Sequence, residues 1–191
     1  MNNIVKVTIK LLLITIVAGA LLGAVYSVTK EPIAQQMEKA ATEARLAAFP
    51  DAADFEEYGA DIPNEYSIIK NVFYAKDSGG NIIGATFGIT TKGYNAGLNL
   101  TVGISADGTV KRVVIGDNSE TPGLGKKAEK PSELSDKFSG KPIDKPFQMV
   151  KAASGEYDIE AIAGATVTSK AITNAVNTAA EFYKQMAGGV K

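Results

Sequence analysis

The sequence predicts an α+β protein in which one transmembrane helix precedes an antiparallel sheet with flanking helices. Three patterns indicate this class. An uncharged apolar run occupies 11–29, four strand-like segments follow in two pairs between 66 and 116, and apolar residues recur at helical spacing from 172 to 186. Strands joined by tight turns pair antiparallel, and helices placed beside such a sheet define the α+β class.

The first element is a helix of membrane-spanning length. The apolar run 11–29 has about nineteen residues, which at roughly 1.5 Å per residue nearly match a hydrocarbon core of about 30 Å. Lys6 and Lys10 precede it, so we expect a single-pass protein of the cytoplasmic (inner) cell membrane, with its N-terminus in the cytoplasm and its C-terminal domain outside. A cleaved signal peptide has the same layout. Its candidate cleavage box, 18–20, lies in the middle of the apolar run, which favours a retained helix.

A second helix and a loop are expected to connect the membrane segment to the domain. Pro32 suits the first position of a helix, and apolar residues continue at helical spacing as far as Ala48. The acidic segment 51–63 is interpreted as an irregular loop. The predicted divisions are 1–30 for the N-terminus and membrane helix, 31–65 for the connection, and 66–191 for the domain.

Two hairpins are predicted to form the sheet. The first joins strands over 66–75 and 82–90 through a Gly-rich turn, and the second joins 98–105 and 110–116 through Asp107-Gly108. Four strands in sequence order give one antiparallel sheet. Further along the chain, Pro and apolar residues predict a short helix over 132–138 and one strand within 141–150.

A strand, a sharp turn and a long helix are predicted at the C-terminal end. Segment 157–162 alternates bulky and polar residues as a half-buried strand does, and Gly164 permits a sharp turn. The apolar stripe over 172–186 predicts an amphipathic helix that ends before Gly188.

Thr166 therefore lies at a strand-to-helix corner, just ahead of the free N–H groups of the helix. Those groups carry partial positive charge and make a natural seat for a phosphate, to which a hydroxyl could be bonded covalently. The plainer alternative is that Thr166, Thr168 or Ser169 only caps the helix, because Ser and Thr are common at that position.

Two Gly-rich loops precede this corner. In the segment 118–127, Pro122-Gly123 is a type II turn signal, and the glycines on both sides of Leu124 would let the backbone approach a flat ring. The link 92–97 is also rich in glycine. By themselves, both segments are more typical of ordinary loops and turns than of a binding site.

Composition excludes several classes of function. The 191 residues include neither Cys nor His, which removes thiolate zinc and iron–sulfur sites, His-held haem, disulfides, lipoprotein anchors and imidazole-based catalysis. Without Lys6, Lys10 and Lys30, 17 basic residues remain against 21 acidic ones, which argues against a nucleic-acid surface. Neither a Gly-x-Gly-x-x-Gly nor a Walker loop is present.

The segment 160–169 resembles the flavin-attachment sequence of an FMN-binding domain family. That domain is shared by the G subunit of Rnf-type complexes and the C subunit of sodium-pumping NADH:quinone reductases, and in it a threonine carries FMN through a phosphoester. Glu160 stands where the family usually has Asp, and Ala163 stands where it usually has a hydroxyl residue. The positions that fit the pattern are Glu160, Ile162, Gly164, Ala165, Thr166 and Thr168.

Two further matches extend the resemblance. Residues 120–125 read Glu-Thr-Pro-Gly-Leu-Gly, which resembles the loop that the family places beside the isoalloxazine, and Gly93-Tyr94 resembles another family position. The resemblance implies that Thr166 takes the covalent FMN. Lys126 could meet the phosphate, although a solvated charged edge is the plainer alternative. The implied contact residues are Gly93, Tyr94, Glu120, Thr121, Pro122, Gly123, Leu124, Gly125, Lys126, Gly164, Ala165, Val167, Thr168 and Ser169.

The resemblance implies an electron-transfer subunit of a membrane complex that passes electrons between ferredoxin and NAD and moves sodium ions or protons. Its partners would be the other membrane subunits and a flavin transferase for maturation, with no nucleic acid, and it would have no activity alone. Three alternatives remain. They are the quinone-reductase C subunit, a flavin-bearing surface protein outside any complex, and a cofactor-free anchored scaffolding module.

Overall fold

The computed structural model describes residues 3–189 and divides the chain after Ala41 into two compact units. Helix α1 runs from Asn3 to Ala48 without interruption. The predicted helix start at Pro32 is therefore wrong, because this proline lies inside α1. The fixed φ of proline is compatible with a helix. The helix therefore continues past Pro32 and lacks only the hydrogen bond that the Pro32 nitrogen cannot donate to the Val28 carbonyl.

The first unit ends at Ala41 and contains the apolar part of α1. Its large hydrophobic side chains are exposed, among them Leu12, Leu13 and Leu22. Within the described residues, α1 is long and apolar enough to cross a membrane. The hydroxyls of Thr15 and Ser27 donate to backbone carbonyls one turn earlier, which satisfies them internally as a lipid environment requires.

The second unit contains a five-stranded antiparallel sheet in the order β1 to β5. Both predicted hairpins are present. The acidic segment predicted to be a loop contains a short edge strand, which has no alternating apolar pattern and is formed by pairing with its neighbour. The strands are β1 (Asp54–Glu57), β2 (Ile69–Lys76), β3 (Ile82–Lys92), β4 (Ala96–Ser105) and β5 (Val110–Ile115).

Helix α2 spans Thr166–Gly189 and packs against the sheet. The sequence predicts that this helix ends before Gly188, but the helix continues through Gly189. Its Phe182 ring lies 4.9 Å from the Tyr66 ring and 6.3 Å from the Phe87 ring, measured between centroids. Burial of such aromatic side chains contributes strongly to core stability, so the body of α2 is held firmly on the domain.

A region of short elements connects β5 to α2. The helix predicted over 132–138 is present as two 3₁₀ turns, 131–133 and 135–138, because Leu134 between them leaves the helical region with φ −147° and ψ −49°. Strand β6 (Gln148–Val150) pairs in parallel with β7 (Asp158–Glu160) outside the main sheet. Strand β7 then leads directly to the start of α2.

Candidate functional site

The corner between β7 and α2 forms as predicted. Gly164 has φ +77°, a backbone conformation that glycine adopts easily. The N–H of Ala165 donates to the carbonyl of Ile162 at 3.0 Å. The buried Ser169 hydroxyl accepts from the Ile162 N–H and donates to the Ala165 carbonyl, each at 3.0 Å. Ser169 therefore stabilises the corner through two buried hydrogen bonds.

Thr166 is the first residue of α2, and its side chain is exposed. Among the described residues, its hydroxyl has no hydrogen-bond partner, and the N–H groups of Thr166, Val167 and Thr168 have no acceptor. Ala165, which precedes the helix, offers no side-chain acceptor. The capping alternative is therefore wrong, because neither Thr166, Thr168 nor Ser169 accepts a hydrogen bond from a first-turn N–H.

The Pro122-Gly123 turn lies against this corner. Gly123 has φ +77°, and the Leu124 N–H donates to the Thr121 carbonyl at 3.1 Å, as the predicted type II turn requires. A Cβ added to Gly164 would lie 3.0 Å from Leu124 Cδ2. The loop and the corner are thus in contact through the Leu124 side chain.

Glu120 joins three segments from a buried position. Its side chain is only 3% exposed. One carboxylate oxygen accepts a hydrogen bond from the Thr168 hydroxyl at 2.5 Å, and the other accepts one from the Asn95 N–H at 2.9 Å. Its own N–H donates to Asn118 Oδ1 at 3.1 Å. The Gly-rich link, the turn loop and the first turn of α2 therefore meet at one carboxylate.

Two glycines make room for this carboxylate. A Cβ on Gly93 would lie 2.6 Å from Glu120 Oε1, and a Cβ on Gly125 would lie 2.4 Å from Glu120 Oε2 and 2.7 Å from Thr168 Oγ1. The sequence interpretation assigned the glycine after Leu124 to the approach of a flat ring. The structure gives Gly125 a different purpose, since it is buried against Glu120.

Exposed apolar side chains occur in the same three segments that meet at this corner. Tyr94 is 67% exposed, Leu124 45% and Val167 54%, and these three residues come from the three segments that Glu120 joins. Solvated apolar groups gain from contact with a planar aromatic ring. Together with the free N–H groups of α2, they suit a ligand that has an aromatic ring and a phosphate.

The structure thus gathers the three predicted motifs and divides their residues into two groups. The buried ones are Gly93, Glu120, Gly125, Ala165, Thr168 and Ser169. The exposed ones are Tyr94, Thr121, Pro122, Gly123, Leu124, Lys126, Gly164, Thr166 and Val167. Lys126 lies with its Nζ 3.4 Å from Glu129 Oε1, which fits the charged-edge alternative.

Sequence reasoning missed two asparagines. Asn95 supplies the N–H that Glu120 accepts, and its side chain donates to the Ser119 carbonyl at 2.6 Å. The Asn118 side chain donates to the Gly116 carbonyl at 3.0 Å. The available signal was asparagine in glycine-containing loops, where its side chain often bonds the backbone.

Comparison with protein families assigns the chain to a class. The FMN-binding domain model matches residues 93–181, and the model for the RnfG N-terminal region matches residues 1–46. The first match includes every predicted site residue. The fold, the site and these matches define a membrane-anchored protein with an FMN-binding domain.

Curated relatives narrow the class. The G subunit of the Na(+)-translocating ferredoxin:NAD(+) oxidoreductase complex of Acetobacterium woodii is 34% identical over 95% of this chain and 92% of its own length. The G subunit of the proton-translocating complex of Clostridium ljungdahlii is 31% identical over 98% and 96%. The chain belongs to the family of G subunits of ion-translocating oxidoreductase complexes, which confirms the resemblance noted in the sequence.

A solved structure supports the fold. The crystal structure of NqrC from Shewanella oneidensis matches with a TM-score of 0.55 and 21% identity, over 74% of each chain. This likeness confirms the predicted α+β architecture. The full-length matches to G subunits favour that family over the quinone-reductase alternative.

Proposed function

We propose that this chain is the FMN-carrying electron-transfer subunit of an Rnf-type complex, with FMN joined to Thr166 by a phosphoester. The relatives named above are G subunits of ferredoxin:NAD(+) oxidoreductase complexes that move sodium ions or protons. In this complex the chain transfers electrons through its flavin and has no activity alone.

One observation supports the proposed attachment at Thr166. Among residues 3–189, its exposed hydroxyl has no hydrogen-bond partner, and it stands beside three helix N–H groups without acceptors. Thr168, two residues further on, is bonded to Glu120 and 2% exposed. Of these two threonines, only Thr166 offers an oxygen that a large donor can reach.

The attachment is a transfer of a flavin phosphate to an alcohol. Thr166 Oγ1 forms a bond to the FMN phosphorus of an anhydride donor such as FAD, the P–O–P bond breaks, AMP leaves, and the hydroxyl proton is released. The N–H groups of Thr166, Val167 and Thr168 would hold the resulting negative phosphoester. A flavin transferase supplies the catalysis, including the base that accepts the hydroxyl proton of Thr166.

Bound flavin supplies one-electron and two-electron transfer chemistry, while the protein supplies its binding and orientation. Leu124 and Val167 offer apolar contact to the ring, and Tyr94 offers an aromatic one. The covalent bond prevents loss of the cofactor, which even tight complexes undergo over milliseconds to days.

The proposed location follows from charge asymmetry around α1. Lys6 and Lys10 precede the apolar run of α1, so the positive-inside rule favours a cytoplasmic N-terminus and an FMN-binding domain outside the cytoplasmic membrane. Its partners there are the other membrane subunits of the complex. Cysteine labelling at Asn81, a loop position outside the predicted site, tests this orientation: a membrane-impermeant reagent should label Asn81→Cys in intact cells.

Mass spectrometry of the intact chain, made in a host with flavin transferase, tests the attachment. Wild type should carry one FMN phosphoester and fluoresce in a denaturing gel, whereas Thr166→Ala should carry none. Thr178→Ala is the matched control, because Thr178 is a partly exposed threonine of α2 that lies outside the predicted site, and it should be modified fully. A dark, unmodified wild type would overturn the proposal and favour a cofactor-free module.

A further inference from the structure

We propose that Glu120 is the positioning residue for flavin attachment: its buried carboxylate fixes the first turn of α2 so that Thr166 faces outward. This inference rests on the proposed function. Glu120 is 3% exposed and accepts hydrogen bonds from Thr168 and Asn95. Because its carboxylate is closed off from solvent, Glu120 acts through the residues that it bonds.

Helical geometry links the direction of Thr166 to that of Thr168. At 3.6 residues per turn, side chains two residues apart point about 200° apart around the axis. The Thr168 hydroxyl is held inward by Glu120 at 2.5 Å. Holding Thr168 inside consequently directs Thr166 to the surface, where the structure places it.

The same carboxylate orders a second part of the site. Its other oxygen holds the Asn95 N–H at 2.9 Å, and Asn95 follows the exposed Tyr94. The segments that contain Thr166, Leu124 and Tyr94 are therefore joined at one side chain. Loss of the carboxylate would release the helix start and the link together.

Glu120 is held by hydrogen-bond donors and not by a cation. Among the described residues, no Lys or Arg nitrogen lies within 4.0 Å of its carboxylate. An ionised carboxylate is unfavourable in a buried position unless donors surround it, and bonds to a charged acceptor are the stronger kind. Its position near the N-terminus of α2 also suits a negative charge.

Two substitutions separate the geometry from the charge. Glu120→Ala removes both contacts. Glu120→Gln preserves them, because its carbonyl can accept from the Asn95 N–H while its amide donates to Thr168 Oγ1. Thr168→Ser keeps the hydroxyl and Thr168→Val removes it. The conservative member of each pair should therefore restore attachment.

Asn177→Ala is the matched control for lost stability. Asn177 also lies on α2 and makes two hydrogen bonds, to the N–H and carbonyl of Phe147 at 2.8 and 2.9 Å. It is eleven residues from Thr166, or roughly 16 Å along the helix. Its loss should weaken the fold without altering the first turn.

The experiment uses the full-length chain in detergent, a purified flavin transferase and FAD, and measures the initial rate of flavin attachment. It also measures hydrogen exchange of segments 94–97 and 166–169 in the unmodified protein, together with thermal unfolding. We expect Glu120→Ala and Thr168→Val to slow attachment about tenfold or more. Glu120→Gln and Thr168→Ser should stay within about threefold of wild type, and Asn177→Ala should attach flavin at the wild-type rate.

Faster exchange in both segments of Glu120→Ala, with attachment slowed only in the two disruptive variants, supports the inference. Wild-type attachment in folded Glu120→Ala, or equal slowing in Asn177→Ala, overturns it. Unchanged exchange in Glu120→Ala also overturns it, whether or not flavin is attached. If the wild type takes no flavin, the proposed function is overturned instead. In that case no variant is modified, while hydrogen exchange still becomes faster in Glu120→Ala.

Discussion

Two Gly-rich loops of the domain are each organised by one acidic side chain, but over different distances. In the hairpin turn between β2 and β3, Asp77 accepts hydrogen bonds from the N–H groups of Gly79 and Asn81, two and four residues away. In the turn loop after β5, Glu120 bonds residues 25 and 48 positions away. The first carboxylate closes its own turn, whereas the second assembles a site from separate parts of the chain.

The difference shows in how tightly each loop is packed. Asp77 is partly exposed to solvent, while Glu120 is buried in protein. A local turn therefore tolerates change, because its groups can find water. A buried junction does not, because each displaced group loses a partner that solvent cannot replace.

The largest expected effect comes from adding one methyl group to each loop. Gly125→Ala should lower the free energy of unfolding by about 2–3 kcal/mol, because its Cβ would lie 2.4 Å from Glu120 Oε2. Gly79→Ala should cost less than about 1 kcal/mol, since its Cβ would meet only movable side-chain ends at 3.1 and 3.2 Å. Urea unfolding followed by circular dichroism suits a chain without Trp. Equal losses would contradict the contrast between the loops.

A smaller effect is expected when acid titrates the local turn. The side-chain hydrogen bond from Asn81, followed by backbone N–H bonds, lowers the pKa of Asp77 below its usual 3.8. A lowered folded-state pKa means that this stabilisation is present above the unfolded-state value and is lost as pH falls through the folded-state value. NMR shifts of the Gly79 and Asn81 amides should titrate with a midpoint below 3.8, and Asp77→Asn should abolish that titration. A midpoint at the usual value would count against the turn's hydrogen bonds.

The smallest effect is expected at the charged edge of the turn loop. Lys126 and Glu129 form an exposed pair at 3.4 Å, and such pairs contribute little to stability. Lys126→Gln should change the free energy of unfolding by less than about 0.5 kcal/mol and should leave the rate of flavin attachment unchanged. Lys130→Gln, on the same exposed edge, is the control. A loss of attachment in Lys126→Gln alone would instead indicate a contact with the phosphate.

Local chemistry explains which parts of the fold could be predicted. The hairpin turns, the Pro122-Gly123 turn and the corner at Gly164 depend on glycine, proline and neighbouring side chains, so short stretches of sequence contain their signal. Strand β1 lacked any such signal, because pairing with β2 forms it. Pro32 was misread because a helix start and a tolerated interior proline have the same local sequence.

The site was only partly predictable for a similar reason. The resemblance identified the three motifs, and the structure shows that they lie together. The function of Glu120 in joining them, however, depends on Asn95 and Thr168, which are distant in sequence. No periodicity or turn preference marks a contact between such positions, so the interior of the site became visible only in the folded chain.

The uncapped start of α2 has a consequence for protein turnover. Unsatisfied N–H groups at a helix end favour fraying, and the phosphoester that we propose on Thr166 would oppose it. Newly made chains should therefore be more susceptible to proteolysis around 163–168 than mature ones. With the proposed attachment, riboflavin starvation would then reduce the amount of this subunit as well as its colour.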